Sequence, residues 1–265
     1  GFDTRGTLLL ALTLAAYALA MTWGRGRFGP LNLTLLAAAV LGAILFLRTQ
    51  ARSASPLVRL AMFRDPRLGA SLAMSVLVMT VMMATLVVGP FYLARALGLG
   101  SAAVGLAVSV GPLVAALAGV PAGRLVDRLG AQRIMHAGLG LLAGGCALLA
   151  ALPMQLGVIG YVAPLALVTL GFSLFQTANN TGVMAEVQPQ HRGLVSGMLQ
   201  LARNLGLVTG ASVMGAVFAS GSAAVDVTTA APAAGARGMR ITFPGGAGLV
   251  VVALGVAGGS RAKGS

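Results

Sequence analysis

Acidic residues are the scarcest chemistry in this chain: five Asp and Glu stand among 265 residues, and charged residues of both signs make up only 9%. A water-soluble domain carries roughly 25% charged residues. So sparse a set cannot cover a soluble surface of this size, whereas lipid tails solvate apolar faces directly. Aromatics are also few, at 5%, and there is a single cysteine, Cys146, inside an apolar run. One thiol excludes a disulfide framework and a thiolate metal centre. The two histidines, His136 and His191, lie beside or within connections rather than deep in an apolar segment. Ser196-Gly197 therefore lacks the buried base that an intramembrane serine protease needs, and no phosphate-binding loop or metal-ligand cluster is present. The chain reads as no enzyme and calls for no cofactor.

What is abundant is apolar: 57% hydrophobic residues and 38 glycines. A membrane-crossing helix needs about 20 mainly apolar residues. Eight runs meet that description, near Thr7–Trp23, Leu31–Leu47, Leu68–Tyr92, Ala102–Gly123, Ile134–Ala151, Val158–Asn180, Leu194–Ala219 and Ile241–Gly259. None shows the short strict alternation of barrel strands. The expected fold is an all-α polytopic membrane protein. Residues 1–50 form a two-helix hairpin, 51–67 a basic connector broken by Pro56 and Pro66, and 68–265 a six-helix bundle. The Ala-, Gly- and Thr-rich stretch Ser220–Arg240 reads as a flexible loop.

The net charge of +13 comes from basic residues clustered between the apolar runs. That distribution points to membrane topology and anionic headgroups rather than to nucleic acid. With eight spans, twelve basic residues fall on one side, chiefly Arg48 to Arg67 and Arg124 to Arg133, and five on the other. The richer side is cytoplasmic by the positive-inside rule, and both termini lie on it.

Between the fourth and fifth runs stands Gly123-Arg124-Leu125-Val126-Asp127-Arg128-Leu129-Gly130-Ala131-Gln132-Arg133. Gly130 permits a turn at positive φ. Asp127 is expected near the start of the next helix, where the dipole favours an anion. Gly119 and Gly123, Gly140 and Gly144, and Gly206 and Gly210 are small-xxx-small pairs suited to close helix packing within the chain. Arg203 is the one clear charge within a span, roughly 14 Å from its basic end at helical rise, and so a functional candidate or a snorkelling side chain. Gln176, Asn179 and Asn180 cluster late in the sixth run, with Gln176 and Asn180 on one helical face. They can serve a watery cavity or join helices. Met79 and Met83, with Met74 and Met82, suit either an adaptable apolar pocket or ordinary packing.

The Gly123 to Arg133 segment resembles the signature cytoplasmic loop of the major facilitator superfamily. Gly123, Asp127, Arg128 and Gly130 match it and Arg133 supplies one basic position, while Ala131 and Gln132 depart from the usual cations. Phe2-Asp3-x-x-Gly6, Pro56-Leu57…Met62-Phe63-Arg64 and Arg192-Gly193…Ser196-Gly197…Arg203…Gly206…Gly210 resemble segments of its fourteen-helix drug:proton antiporter branch, in order along nearly the whole chain. The resemblance implies that these runs are the last eight helices of such a transporter, with an N-terminal six-helix half missing. It further implies that the loop, with Arg124 among it, is a conformational latch between halves, and that the third and sixth runs line the cavity. The implied function is export of small amphipathic compounds in exchange for protons. The lack of a targeting signal points to a bacterial inner membrane. A proton relay needs an ionisable group within the membrane; all five acidic residues fall at or beyond run ends, so the coupling carboxylate would lie in the missing half. A non-transporting membrane scaffold is the alternative.

Overall fold

A computed structural model describes residues 3–23, 29–52, 62, 65–151, 154–222 and 232–262. Among them are eight long helices: α1 (Thr4–Thr22), α2 (Pro30–Arg52), α3 (Pro66–Phe91), α4 (Ser101–Leu129), α5 (Ala131–Ala151), α6 (Ile159–Glu186), α7 (Arg192–Ser222) and α8 (Pro232–Ala262). The described residues contain no strand. Six helices, α1 to α6, are long and apolar enough to cross a membrane, and α8 carries the shorter apolar stretch Thr242–Gly258.

The helices run past the ends of the apolar runs because a helix is held by its own backbone hydrogen bonds and does not need apolar side chains to continue. Thus α4 reaches Leu129 and α6 reaches Glu186. Two expectations change as a result. Gly123 to Leu129 is the end of α4, so Asp127 sits in its last turn and not at the start of α5. The stretch expected as a loop from Ser220 to Arg240 is helical from Pro232 onward. The connector 51–67 lies mostly outside the described residues. Its end is ordered by local chemistry: Pro66 opens α3 where a missing N–H costs nothing, and the Asp65 carboxylate accepts from the Arg67 amide at 2.9 Å.

In the bundle α3 packs on α7 and α8, α5 packs on α6 and α8, and α4 lies on α6. One core cluster joins Val78, Val81, Leu139, Leu142, Val168, Phe243 and Val250. Glycines set its tightest contacts. A Cβ on Gly171 would stand 2.6 Å from the Gly138 carbonyl oxygen and from the Leu142 amide nitrogen, and one on Gly145 would stand 2.6 Å from Val168. A Cβ on Gly206 would lie 2.4 Å from the Val76 carbonyl oxygen, and one on Gly210 2.6 Å from that of Thr80. The Gly206 and Gly210 pair therefore joins helices as expected. The other two pairs do not: a Cβ on Gly119, Gly123, Gly140 or Gly144 would meet nothing within 4 Å. Helix α5 turns Gly138 and Gly145 inward instead, and α4 turns Gly111, Ala118 and Ala122 inward.

The α1–α2 hairpin is closed at both ends by polar clamps. Buried Asn32 donates to the carbonyls of Ala20 and Trp23, each at 2.7 Å, and accepts from the Gly29 amide at 3.0 Å. At the other end Asp3 caps α1 by accepting from the Gly6 amide at 2.9 Å, and accepts from the Gln50 side chain at 2.7 Å. The hairpin leans on α7, where Tyr17 meets Thr209 and the Ser212 hydroxyl donates to the Met21 carbonyl.

Candidate functional site

The polar residues of the bundle interior converge where α3, α6 and α7 meet. Asn179 is buried and joins α6 to α3: its Oδ1 accepts from the Ser71 hydroxyl at 2.7 Å and its Nδ2 donates to Ser75 Oγ at 3.1 Å. Ser75 in turn donates to the Ser71 carbonyl at 2.9 Å. The adjacent Asn180 joins α6 to α7, its Oδ1 accepting from Arg203 Nη2. Gln176, one turn earlier, has a buried Oε1 with no hydrogen-bond partner among the described residues. Gln176, Asn179 and Arg203 line a narrow crevice with Met79, Phe172 and Phe175.

The structure thus brings together Arg203, Gln176, Asn179 and Asn180. Both asparagines join helices, and Gln176 lines the crevice. The methionines divide. Met79 lines the crevice, and its Cβ also packs close to Gly206, as that of Met83 packs close to Gly210. Ser71 and Ser75 were not singled out in the sequence, although two serines four apart on an apolar helix share one face and mark a polar stripe.

Towards the arginine-rich end α3 and α6 open against α5. A cavity of about 630 Å³ lies between the start of α3, the start of α5 and the end of α6. Its wall includes the apolar Met74, Met135 and Val183 and the polar Ser71, Asn179 and Gln132. At its rim Arg67 and Glu186 form an ion pair of 2.6 Å, with both side chains about half exposed. Such a pair in water contributes little stability, about 0–1 kcal/mol, and it tethers the start of α3 to the end of α6.

The loop residues lie apart from this interior cluster. Gly130 adopts φ 85° and its amide donates to the Val126 carbonyl at 2.9 Å, which closes α4 and turns the chain into α5. Arg124, Asp127, Arg128 and Arg133 are all exposed. None of them forms an ion pair among the described residues. In the last turn of α4 Asp127 meets the negative end of the helix dipole, which suits the neighbouring Arg128 better.

Comparison with known proteins places this arrangement. The family profile of the Major Facilitator Superfamily matches residues 6–211. The uncharacterized transporter YebQ of Escherichia coli (strain K12) is 31% identical over 255 residues, which cover 92% of this chain and 55% of that protein. The quinolone resistance protein NorB of Staphylococcus aureus (strain MW2) is 29% identical over 235 residues, 87% of this chain and 50% of NorB. The chain spans about half the length of the curated relatives it matches. Among solved structures, a mutant of the nucleoside transporter NupG superposes with a TM-score of 0.62 at 18% identity, covering 97% of this chain and 66% of NupG. A bacterial homologue of the iron transporter ferroportin superposes with a TM-score of 0.56 at 18% identity, covering 95% of this chain and 58% of that one. These likenesses share the fold, and the profile match across most of the sequence settles the family: this all-helical, multi-pass chain belongs to the Major Facilitator Superfamily, a family of membrane transporters rather than enzymes.

Proposed function

We propose that the chain is the C-terminal part of a proton-driven exporter of small amphipathic compounds, working by alternating access together with an N-terminal six-helix half. The observation that carries this reading is the polar cluster of Arg203, Asn180, Gln176 and Asn179 in a mainly apolar bundle. Polar and charged groups at membrane depth are costly and mark transport pathways. Export of drug-like compounds is supported by the name of NorB, a quinolone resistance protein. Proton coupling then falls to a carboxylate of the other half, because none of the described acidic residues lies within the bundle interior. The arginine-rich end faces the cytoplasm in this reading, with both termini of the chain on that side. There Gly130 holds a tight turn, and Arg124, Asp127, Arg128 and Arg133 are exposed for latching the two halves.

The test is proton release. Inverted membrane vesicles containing the complete protein are energised, and ethidium is added while the pH gradient is followed with a fluorescent amine. Addition of ethidium should dissipate the gradient with the wild type. The double variant Asp127→Asn, Arg128→Gln should slow the response by about tenfold at equal protein content. A wild-type response no larger than that of empty vesicles, across a panel of amphipathic compounds, rejects the exporter reading.

A further inference from the structure

Acidic residues are scarce in this chain, yet two of the five, Asp65 and Glu186, line the cavity at the arginine-rich end. Its volume of about 630 Å³ lies within the range of about 300–1,000 Å³ that suits drug-sized ligands. The two carboxylates flank a single guanidinium. Glu186 pairs with Arg67 at 2.6 Å, and Asp65 accepts from the Arg67 amide at 2.9 Å. Two carboxylates against one guanidinium leave one negative charge in excess on the described wall, with His191 counted as neutral. That is the reverse of the chain as a whole, whose net charge is +13. Arg124, Arg128 and Arg133 are exposed and stand outside the described wall. Behind the charged mouth the wall turns apolar. Leu68 and Met74 are buried, and Met135 and Val183 are partly buried. Thioethers adapt to ligands of varied shape. Asn179 stands both in this wall and in that of the narrow crevice beside Arg203, so the cavity adjoins the polar cluster.

Acid at the mouth and a soft apolar wall behind it suit one ligand chemistry. The excess carboxylate charge attracts a cation, and an apolar body lies on the methionines, the leucine and the valine. We propose that this cavity, enclosed by α3, α5 and α6 within the bundle, is a capture site for lipophilic cations arriving from the cytoplasm. The proposal rests on the transport reading above and adds to it a place of first contact, one wall away from the polar cluster. Water screens a charge contact at a half-exposed mouth, so the preference for a cation over an uncharged ligand of the same frame is about fivefold. A weak hold suits a site that passes its ligand on.

The experiment is site-directed protection in the complete protein in lipid nanodiscs. Val183→Cys places a thiol in the cavity wall, and the native Cys146 is fully buried. Labelling by N-ethylmaleimide is read by mass spectrometry of the peptide around position 183. The probes are ethidium and 3,8-diamino-6-phenylphenanthridine, which keeps the ring frame without the N-ethyl group and its fixed charge. Both should slow labelling, and ethidium should do so at about fivefold lower concentration. Asp65→Asn keeps a residue that caps a helix as well as Asp does, and Glu186→Gln keeps the shape of the side chain. Each, added to Val183→Cys, should raise the half-protecting ethidium concentration by about fivefold and leave that of the uncharged probe within about twofold. An unchanged labelling rate without probe certifies that each variant is folded. A position 183 that is not labelled, or that ethidium does not protect, overturns the proposal. So does equal protection by the two probes, or a loss shared by both probes in the carboxylate variants, which would give Asp65 and Glu186 a structural role only. Failure of the exporter reading registers separately, as ethidium that protects position 183 and yet leaves the pH gradient unchanged.

Discussion

The hairpin and the six-helix bundle hold their helices together with different amounts of buried side chain. In α1 and α2 few side chains are buried, among them Ala20, Ala39 and Phe46, and Leu8, Leu12 and Leu33 are well exposed. The pair carries hydrogen-bonded clamps at its two ends. In the bundle the helices meet backbone to backbone, at Gly138 and Gly171 and at Gly206 and Val76, over a core of aliphatic side chains. Without a hydrophobic drive between helices in lipid, close packing and interhelical hydrogen bonds are the available sources of association. The bundle combines backbone contacts with interhelical bonds such as Ser71 to Asn179, and the hairpin adds to its end clamps a close approach of Gly42 to Thr13, where a Cβ would stand 2.4 Å from the hydroxyl oxygen.

That contrast can be broken most forcefully within α5 and α6. Gly171→Leu drives a side chain into the Gly138 carbonyl and the Leu142 amide, which are main-chain atoms of a packed helix. The expected loss is about 3 kcal/mol, the upper range for overpacking. The folded peak in fluorescence-detected size exclusion should collapse. Gly140→Leu, on the open face of α5, should leave that peak and the melting temperature unchanged. Equal damage from the two would remove the distinction between inward and outward glycines.

A smaller effect is expected in the hairpin. Asn32→Ala leaves the Gly29 amide and the Ala20 and Trp23 carbonyls without their side-chain partner, at a cost of about 1–3 kcal/mol. Hydrogen exchange should quicken in α1 and α2 and stay unchanged in α5 and α6. Spread of the change into α5 and α6 would mean that the two regions do not respond separately.

The smallest effect concerns the other clamp. The Gly6 amide first, and the Gln50 side chain second, hold the Asp3 carboxyl below its ordinary range. A lowered folded value means that the carboxylate stabilises the hairpin fully above the unfolded value of about 4, and that this contribution disappears as pH falls through the lower folded value. The melting temperature of the wild type should therefore exceed that of Asp3→Asn at neutral pH. The gap should close as the solution is acidified below about pH 4. A gap that persists in strong acid would place the contribution of Asp3 elsewhere.

The helices were legible because each is an uninterrupted apolar run of the right length, and Gly130 was legible because a residue between two such runs must turn. The Asp3-x-x-Gly6 pattern was legible as a family feature, and its physical reason appears only in three dimensions: a Cβ at Gly6 would stand 2.4 Å from both Asp3 Oδ2 and Gln50 Nε2. The glycine pairs were legible only in part. A small-xxx-small spacing marks a smooth stripe on a helix without saying whether another helix covers it, so Gly206 and Gly210 meet α3 while Gly140 and Gly144 meet nothing. Asp127 was misplaced because backbone hydrogen bonding carried α4 beyond its apolar stretch.

By itself the sequence determined the eight helices, the turn at Gly130 and the scarcity of charge within the spans, since hydropathy and helical hydrogen bonding depend on neighbours in the chain. Only the tertiary structure decided that Asn179 bonds to Ser71, 108 residues away, that Arg203 reaches Asn180 on another helix, and that the Gln176 oxygen is left unpaired among the described residues. Those outcomes depend on which helical faces meet, and in a bilayer the meeting is selected by shape and by a few polar atoms whose partners lie on other helices.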